Sequence, residues 1–458
     1  MPDRYLTSLL CPLPEDIAHL KGAGEYELVL ALIDRRLAGP LPRMLRMRLE
    51  TEKRMLAGLP HAYTLTHEQL LLALRQRIPS FQDKELQALL LDGKLDFIYL
   101  NGTRYYHEDT VGSLLKTQSA LNARAQTGAY NADRSALDAV IARMMQHDIV
   151  FRYRLRATTQ VRTFEPGTIY RIHMPLAARS MQQSAAEDVQ SSLLIVSQDD
   201  ENAPQRTAYL ESSLRDTPAF TFEYTCTQRP RYVNAVGDSA HVVYPQARPV
   251  CKEDLAELPP HLAFTPYLRA LAQELRGDEG DPVLAARRFY DFITTRVMYA
   301  YQRPYRLIEN GAEYAAVNLR GDCGLQALLF IALCRISGIP ARWQSGLYAA
   351  PGDVGSHDWA EFYSPRFGWL PVDCSFGGAA KRMGSELRWN FYFGNLDPWR
   401  MVANRAYYAP FAPAKNFARA DPYDNQRGEI ETDARGLTGG EFSTRYEMLW
   451  HEESEAES

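Results

Sequence analysis

Cys323 stands in NLRGDCGLQALLFIALCRISGIPARW (318–343), between a Gly-Asp pair and a run of helix-forming apolar residues. Asp322 suits a helix N-cap, and Gly338 with Pro340 supplies a stop. Cys323 then falls in the first turn, with Leu325, Leu328, Leu329, Ala332, Leu333 and Ile336 on one buried face. A thiol there feels the positive end of the helix dipole, which can lower its pKa from about 8.5 to roughly 3.5–7.5. The outward-facing backbone N–H groups of the same turn can hold an oxyanion. A small buried apolar side chain would also suit the position, because free cysteine is among the most buried residue types.

A thiolate nucleophile needs an imidazole, and the imidazole needs an orienting acid. HDWAEFYSPRFGWLPVDCSF (357–376) offers both. Its first strand alternates His357, Trp359, Glu361 and Tyr363 on one face, and its second carries Trp369, Pro371 and Asp373. A hairpin closing near Ser364–Gly368 puts His357 and Asp373 on the same side, as cross-strand or diagonal neighbours. Of the ten histidines, local patterning places only this one so.

Elements must position these groups, and the pattern is α+β. Residues 1–147 read as a mostly helical domain, in which Thr66-His67-Glu68-Gln69 forms a capping box. There, DFIYL-NG-TRYYH gives a hairpin through Asn101-Gly102. Helix, helix, hairpin is a winged-helix-like order. Residues 148–254 read as an antiparallel β-sandwich through IVFRYRLRATTQV, GTIYRIHMPLA, SSLLIVSQ, QRTAYLESSL and AFTFEYTCTQ. Residues 255–380 hold helix ARRFYDFITTRV, the Cys323 helix and the short strands. Residues 381–458 form a C-terminal extension, with HEESEAES as a disordered acidic tail.

The length of 458 residues suits roughly three units at about 150 residues each. A net charge of −5 gives no footprint for nucleic acid, so a DNA-reading role for the hairpin is disfavoured against docking or packing. No apolar run approaches the ~20 residues of a membrane span, and the first residues, with Asp3, lack the form of a signal peptide. A cytoplasmic location is the expectation. Six cysteines without a CxxC pair argue against zinc ribbons and thioredoxin-type chemistry and read as free thiols.

GDCGLQALLFIALCRISGIPAR, HDWAEFY and GWLPVDCS resemble the three catalytic blocks of the transglutaminase-like superfamily, in the order Cys, His, Asp at separations of 34 and 16 residues. The resemblance spans about residues 280–380. RADPYDNQRGE and FYFGNLDPWRM are similar, less specifically, to a C-terminal extension of bacterial members. It implies a papain-related core, a helix bearing the cysteine packed on an antiparallel sheet, with the β-sandwich before it. It also implies Cys323 as nucleophile, His357 as base and acid, and Asp373 as orienter, with acyl transfer through a thioester on peptide or protein amides. Hydrolysis is favoured over transamidation, without metal or cofactor. Two departures stand out. Gly324 follows the cysteine where larger residues are common, suggesting a roomier site, and Asp358 follows the histidine, suggesting a wet strand face.

The backbone N–H of Cys323 would make half of an oxyanion hole, with Gln302, Asn318 or a tyrosine such as Tyr301 as candidates for the other half. Trp359 and Trp369 could wall the acyl site or serve as core. RWNFYFGNLDPWR could cover the cleft or simply pack, and DPYDNQRGEIE reads better as a capped turn than as a calcium loop. Cys374, next to Asp373, and Cys334, roughly 16 Å along the helix from Cys323, read as packing thiols. The competing class is a non-catalytic binding or assembly protein on the same scaffold. Oligomeric state is left open by the sequence.

Overall fold

The computed structural model describes residues 7–127, 134–214, 218–237 and 249–455. Residues 1–6, which include Asp3, and residues 456–458 of the acidic tail lie outside the described residues.

Asn101 and Gly102 take φ of 47° and 81°, the left-handed pair a tight hairpin turn needs, and join strands Phe97–Leu100 and Thr103–His107. With Tyr63–Leu65 these make a three-stranded sheet in which the last strand is central. Helices His67–Arg77, capped by Thr66 and Gln69, and Asp83–Leu91 close a small core over it with Leu70, Leu74, Phe81, Leu86 and Tyr106. The order along this stretch is helix, helix, hairpin. Leu114, Leu115 and Leu121 join that core, but the other helices of residues 1–147 do not. Helices Glu15–Ala23, Tyr26–Leu37 and Arg43–Ala62 send Ile17, Val29, Ile33, Leu49 and Met55 into the core of the Cys323 helix. Helix Ser135–Met144 sends Leu137, Ile141 and Met144 into the sandwich instead. A buried ion network pins the first helices down: Arg48 binds Glu52 at 2.6 Å and Glu309 at 2.9 Å, and Lys21 binds Glu52 at 2.9 Å.

The sandwich is two four-stranded antiparallel sheets, and the segment 148–254 does not complete either one. In the first, Ile149–Val161 lies between Ala219–Gln228, which also pairs Glu187–Ser191, and the far C-terminal strand Phe442–Glu455. In the second, Glu429–Glu431 adds an edge to Ile169–Pro175, Thr207–Ser213 and Ile195–Gln198. The period-2 pattern of Ile149–Val161 buries Phe151, Tyr153, Leu155 and Ala157 and turns Arg152, Arg154 and Arg156 outward. This corrects the expectation of a disordered tail for His451–Glu455. The acidic side chains meet basic neighbours, Glu453 with Arg143 of helix Ser135–Met144 at 2.7 Å and Glu452 with Arg152 on the adjoining strand at 3.4 Å, so pairing replaces self-repulsion.

A third antiparallel sheet orders Gly368–Val372, Asp353–Ser364, Ala341–Ala350 and Arg400–Asn404. Helix Cys323–Ile336 packs on it and is covered elsewhere by helices Pro266–Arg276, Pro282–Arg296 and Gly311–Asn318. One buried face was expected, but Gly324 through Cys334 are all buried, and only the end residues Cys323, Arg335 and Ile336 are half-exposed. A helix apolar on all sides is a core helix, and each fully buried leucine contributes about 1.5–3 kcal/mol. Among the described residues no helix is long and apolar enough to cross a membrane.

The C-terminal extension thus completes all three large sheets and is not an appendage. A chain ended after residue 428 exposes the edges of both sandwich sheets and removes Ile430, Leu437, Phe442 and Tyr446 from their core. It is expected to lose its cooperative thermal transition by circular dichroism, whereas a dispensable extension would leave that transition in place.

Candidate functional site

Asp322 caps the core helix by accepting from Leu325 N at 3.1 Å, so Cys323 is the first helical residue, half-exposed at the helix mouth. Strand Asp353–Ser364 runs past that mouth. His357 pairs across the sheet with Gly346, where a Cβ would collide with the Met401 carbonyl, so glycine lets the Arg400–Asn404 strand approach closely. The hairpin closes Ser364 against Gly368, as expected. Asp373 lies one residue beyond the second strand, as N-cap of helix Cys374–Arg382. The His357 ring donates from Nε2 to Asp373 Oδ2 at 2.7 Å, which leaves Nδ1 as its acceptor.

Asp373 is saturated. Its Oδ2 also accepts from Arg400 Nη1 at 2.6 Å, and its Oδ1 accepts from Phe376 N at 2.9 Å and Ser375 Oγ at 3.0 Å. Arg400, fully buried, spends Nε and Nη2 on Asp397 Oδ2 at 3.1 and 2.9 Å and lies 4.0 Å over the Phe376 ring. Burial works to raise the Asp373 pKa, but His357, Arg400 and the Phe376 N–H outweigh it and hold the carboxyl well below its usual range. Burial pushes His357 below its ordinary pKa; Asp373 opposes that shift and Arg400 adds to it. The imidazole is neutral at neutral pH.

The thiol has unexpected company. Cys323 Sγ is 3.3 Å from Asp358 Oδ2, and Asp358 Oδ1 accepts from Gln426 Nε2 at 2.6 Å. Gln426 also donates to the His357 carbonyl at 3.1 Å. Tyr305 donates its hydroxyl to Asp322 Oδ1 at 2.6 Å. These groups correct two expectations. Gly324 does not widen the site, because a Cβ there would strike the Tyr305 hydroxyl and come within 2.8 Å of Asp358 Oδ2. Nor is the Asp358 face wet, since Asp358 is 8% exposed. The thiol pKa is raised well above its usual value, by burial first and then by Asp358 and Asp322, so the helix dipole does not win here. Burial likewise raises Asp322 to about 6, and burial with Asp421 raises Asp424 to about 7.

Of the other candidate residues, Gln302 donates its amide to the Ala300 carbonyl at 3.0 Å, and Asn318 donates to the Tyr314 carbonyl at 2.8 Å on its own helix. Tyr301 is exposed and rests against Lys116 and Tyr299. Trp359 stacks 5.9 Å from the His357 ring and donates its indole N–H to Gln344 at 2.9 Å. Trp369 is core, with Arg342 3.9 Å over its ring. Cys334 and Cys374 are buried. In 388–400, Phe391, Tyr392 and Trp399 pack in the sandwich core. Glu429 and Glu431 use their oxygens on Ala420 N, Asp421 N, Asn416 N, Phe417 N and Lys415, a braced turn. Asp358, Gln426, Tyr305 and Arg400 went unassigned by sequence reasoning. Only Asp358 left a signal, as an acid beside the histidine.

Residues 269–374, which include Cys323, His357 and Asp373, match the sequence model of the transglutaminase-like superfamily. A protein-glutamine gamma-glutamyltransferase of Pseudomonas aeruginosa is 28% identical over 142 residues, covering 29% of this chain, which spans only 21% of that protein's length. A crystal structure of a proposed cysteine protease from Cytophaga hutchinsonii aligns with a TM-score of 0.40 at 16% identity, over 68% of this chain and 92% of that one. The periplasmic domain of TgpA from Pseudomonas aeruginosa aligns with a TM-score of 0.29 at 16% identity, over 54% of this chain and 94% of that domain. The likeness to the transglutaminase-like superfamily is thus carried by residues 269–374.

Proposed function

We propose that the chain is a cysteine-dependent acyl transferase or hydrolase acting on peptide or protein amides, with Cys323 as nucleophile, His357 as base and acid, and Asp373 as orienter. What supports this reading is the line Arg400–Asp373–His357, built of 2.6 and 2.7 Å hydrogen bonds, on the sheet against which the helix that begins at Cys323 packs. A neutral imidazole whose Nε2 is held by a carboxylate offers Nδ1 as a proton acceptor.

The thiol is raised and the imidazole lowered, so the resting pair is uncharged. The proton therefore moves in step with attack. The S–H bond breaks toward Nδ1 as sulfur bonds the carbonyl carbon, and the carbonyl electron pair goes to oxygen. Collapse breaks the C–N bond, and the amine leaves with the proton from His357. A thioester remains. Water or a primary amine then attacks it, giving His357 a proton that returns to sulfur, and a carboxylic acid or a new amide leaves. Arg400 is a positioning residue that acts through Asp373.

A competing reading, a binding scaffold that keeps the triad without turnover, draws on the raised thiol. Mass spectrometry of a tryptic peptide library incubated with the protein and a primary amine separates the two. Products that gain water or the amine are expected, lost by about 10³-fold or more in Cys323→Ala and His357→Ala. An unchanged library, or one changed equally by both variants, contradicts catalysis by these residues.

Arg400→Met is expected to raise the His357 pKa, because the cation depresses it. A higher pKa keeps the base protonated to higher pH, so the acid limb of kcat/KM moves toward alkaline pH. Arg400→Lys retains the charge, and is expected to lower kcat while leaving that limb in place. An unmoved limb in Arg400→Met would show that Arg400 does not act through the imidazole.

A further inference from the structure

The amides of Gln302 and Asn318, expected as oxyanion donors, are spent on backbone carbonyls, yet one polar side chain does stand at the thiol. His357 and Asp358 are consecutive in an extended strand and leave it on opposite faces, so one backs onto Asp373 while the other reaches the helix mouth. Asp358 Oδ2 lies 3.3 Å from Cys323 Sγ and would lie 2.8 Å from a Cβ on Gly324, so it sits over the first turn of the helix. The N–H of Gln426 engages Oδ1 at 2.6 Å and fixes it as the accepting oxygen. A proton on this carboxyl therefore belongs on Oδ2, the oxygen facing the sulfur.

The surroundings favour that proton. Asp322 and Cys323 face it from the helix, and Tyr305, whose hydroxyl is committed to Asp322, faces it from the preceding loop. His357 adjoins it on its own strand and is neutral, and Asp421 and Asp424 approach from the C-terminal loop. The cations nearby act through charge on other members, Arg419 on Asp421 and Asp424, Arg306 on Asp421, and Lys116 on Asp322, while Arg419 and Arg306 donate their hydrogen bonds to Gln205 and to backbone carbonyls. Burial first, then Asp424 and Asp322, push the Asp358 carboxyl well above its usual range. A carboxylic acid kept neutral in this way can donate a hydrogen bond to a developing oxyanion.

We infer that Asp358 donates its Oδ2–H to the acyl oxygen of the substrate, completing with the Cys323 backbone N–H the oxyanion hole of this site. The inference rests on the reading of Cys323 as nucleophile. The acyl oxygen displaces sulfur as the partner of Oδ2 when the S–C bond forms and the carbonyl pair moves onto oxygen. The proton on Asp358 stays where it is, and the Cys323 proton travels through His357 as before. Gln426 is the positioning residue that keeps the O–H on the sulfur side. Ionisation of Asp358 turns the donor into a second negative charge, so turnover falls as pH rises through its pKa.

The test uses the full chain, with p-nitrophenyl acetate as the acyl donor and p-nitrophenolate release as the readout across pH, alongside Cys323 alkylation by iodoacetamide. Asp358→Ala is expected to slow acylation by about 10²–10³-fold. Cys323 alkylation at neutral pH should not slow in that variant, since alkylation develops no acyl oxyanion for Asp358 to stabilise. Asp358→Asn keeps an N–H donor in place, and is expected to lose far less and to lack the alkaline fall of the wild type. Acylation in Asp358→Ala as fast as wild type or faster overturns the inference and makes the carboxyl a brake. If Asp358→Ala does not fold, persistence of the alkaline fall in Asp358→Asn overturns it equally. Undiminished ester turnover in Cys323→Ala would sink the nucleophile reading itself, whereas loss there with full activity in Asp358→Ala removes only the role of Asp358.

Discussion

The site depends on how one buried carboxylate is satisfied. Asp373 is 1% exposed, and a charge that deep is tolerable only with its lone pairs filled and an opposite charge beside it. Four donors meet the need: the imidazole, the Arg400 guanidinium, a helix-capping N–H and a serine hydroxyl. Arg400 must itself be neutralised, and Asp397 does so. Removing one member of such a buried set costs about 3–5 kcal/mol, because the others are left charged and unpaired. Orientation of His357 is thus a by-product of electrostatic necessity. The ring cannot turn without uncovering Asp373.

That necessity extends to the topology. Arg400 enters on the strand Arg400–Asn404, which hydrogen-bonds to Ala341–Ala350 at the far edge of the catalytic sheet. The chain then returns through 421–428 to place Gln426 against His357 and Asp358, and ends in the sandwich strand Phe442–Glu455. Tyr446 donates its hydroxyl to the Gln426 carbonyl at 3.0 Å, so the sandwich holds the loop that covers the thiol. At the other rim, Ser113 of the N-terminal helices accepts from Tyr301 N at 3.0 Å, and Arg303 engages Tyr63. The segment between Tyr299 and Leu307, which carries Tyr305, is therefore clamped from that side.

Much of this was legible because it is local. Asp322 as cap, the Ser364–Gly368 hairpin, the shared side of His357 and Asp373, and the Asn101-Gly102 turn each follow from spacing over a few residues. What escaped is long-range or many-bodied. Nothing in an acidic tail announces that a strand arginine 300 residues earlier, Arg152, will pair Glu452. Arg400 and Gln426 reach the site through strand order and loop return, which periodicity does not encode. The thiol pKa was misjudged for a related reason. A helix dipole is a local property, whereas the burial of the thiol and the acids Asp358 and Asp322 beside it come from packing, and they push its pKa up. Gly324 read as open space for the same cause: its vacancy is occupied by Tyr305 and Asp358 from other elements.

On the proposed reading, the uncharged Cys323 thiol and His357 imidazole form a resting state that waits for a carbonyl. Its direct signature is a covalent acyl-enzyme. The decisive measurement is acid-quenched intact mass spectrometry of the full chain after brief exposure to an acyl donor, with peptide mapping of the modified residue. An adduct of the acyl mass on Cys323, sensitive to hydroxylamine and missing in Cys323→Ser under the same quench, is the expected result. An adduct spread over other thiols, or product formation with none on Cys323 at any quench time, would contradict it.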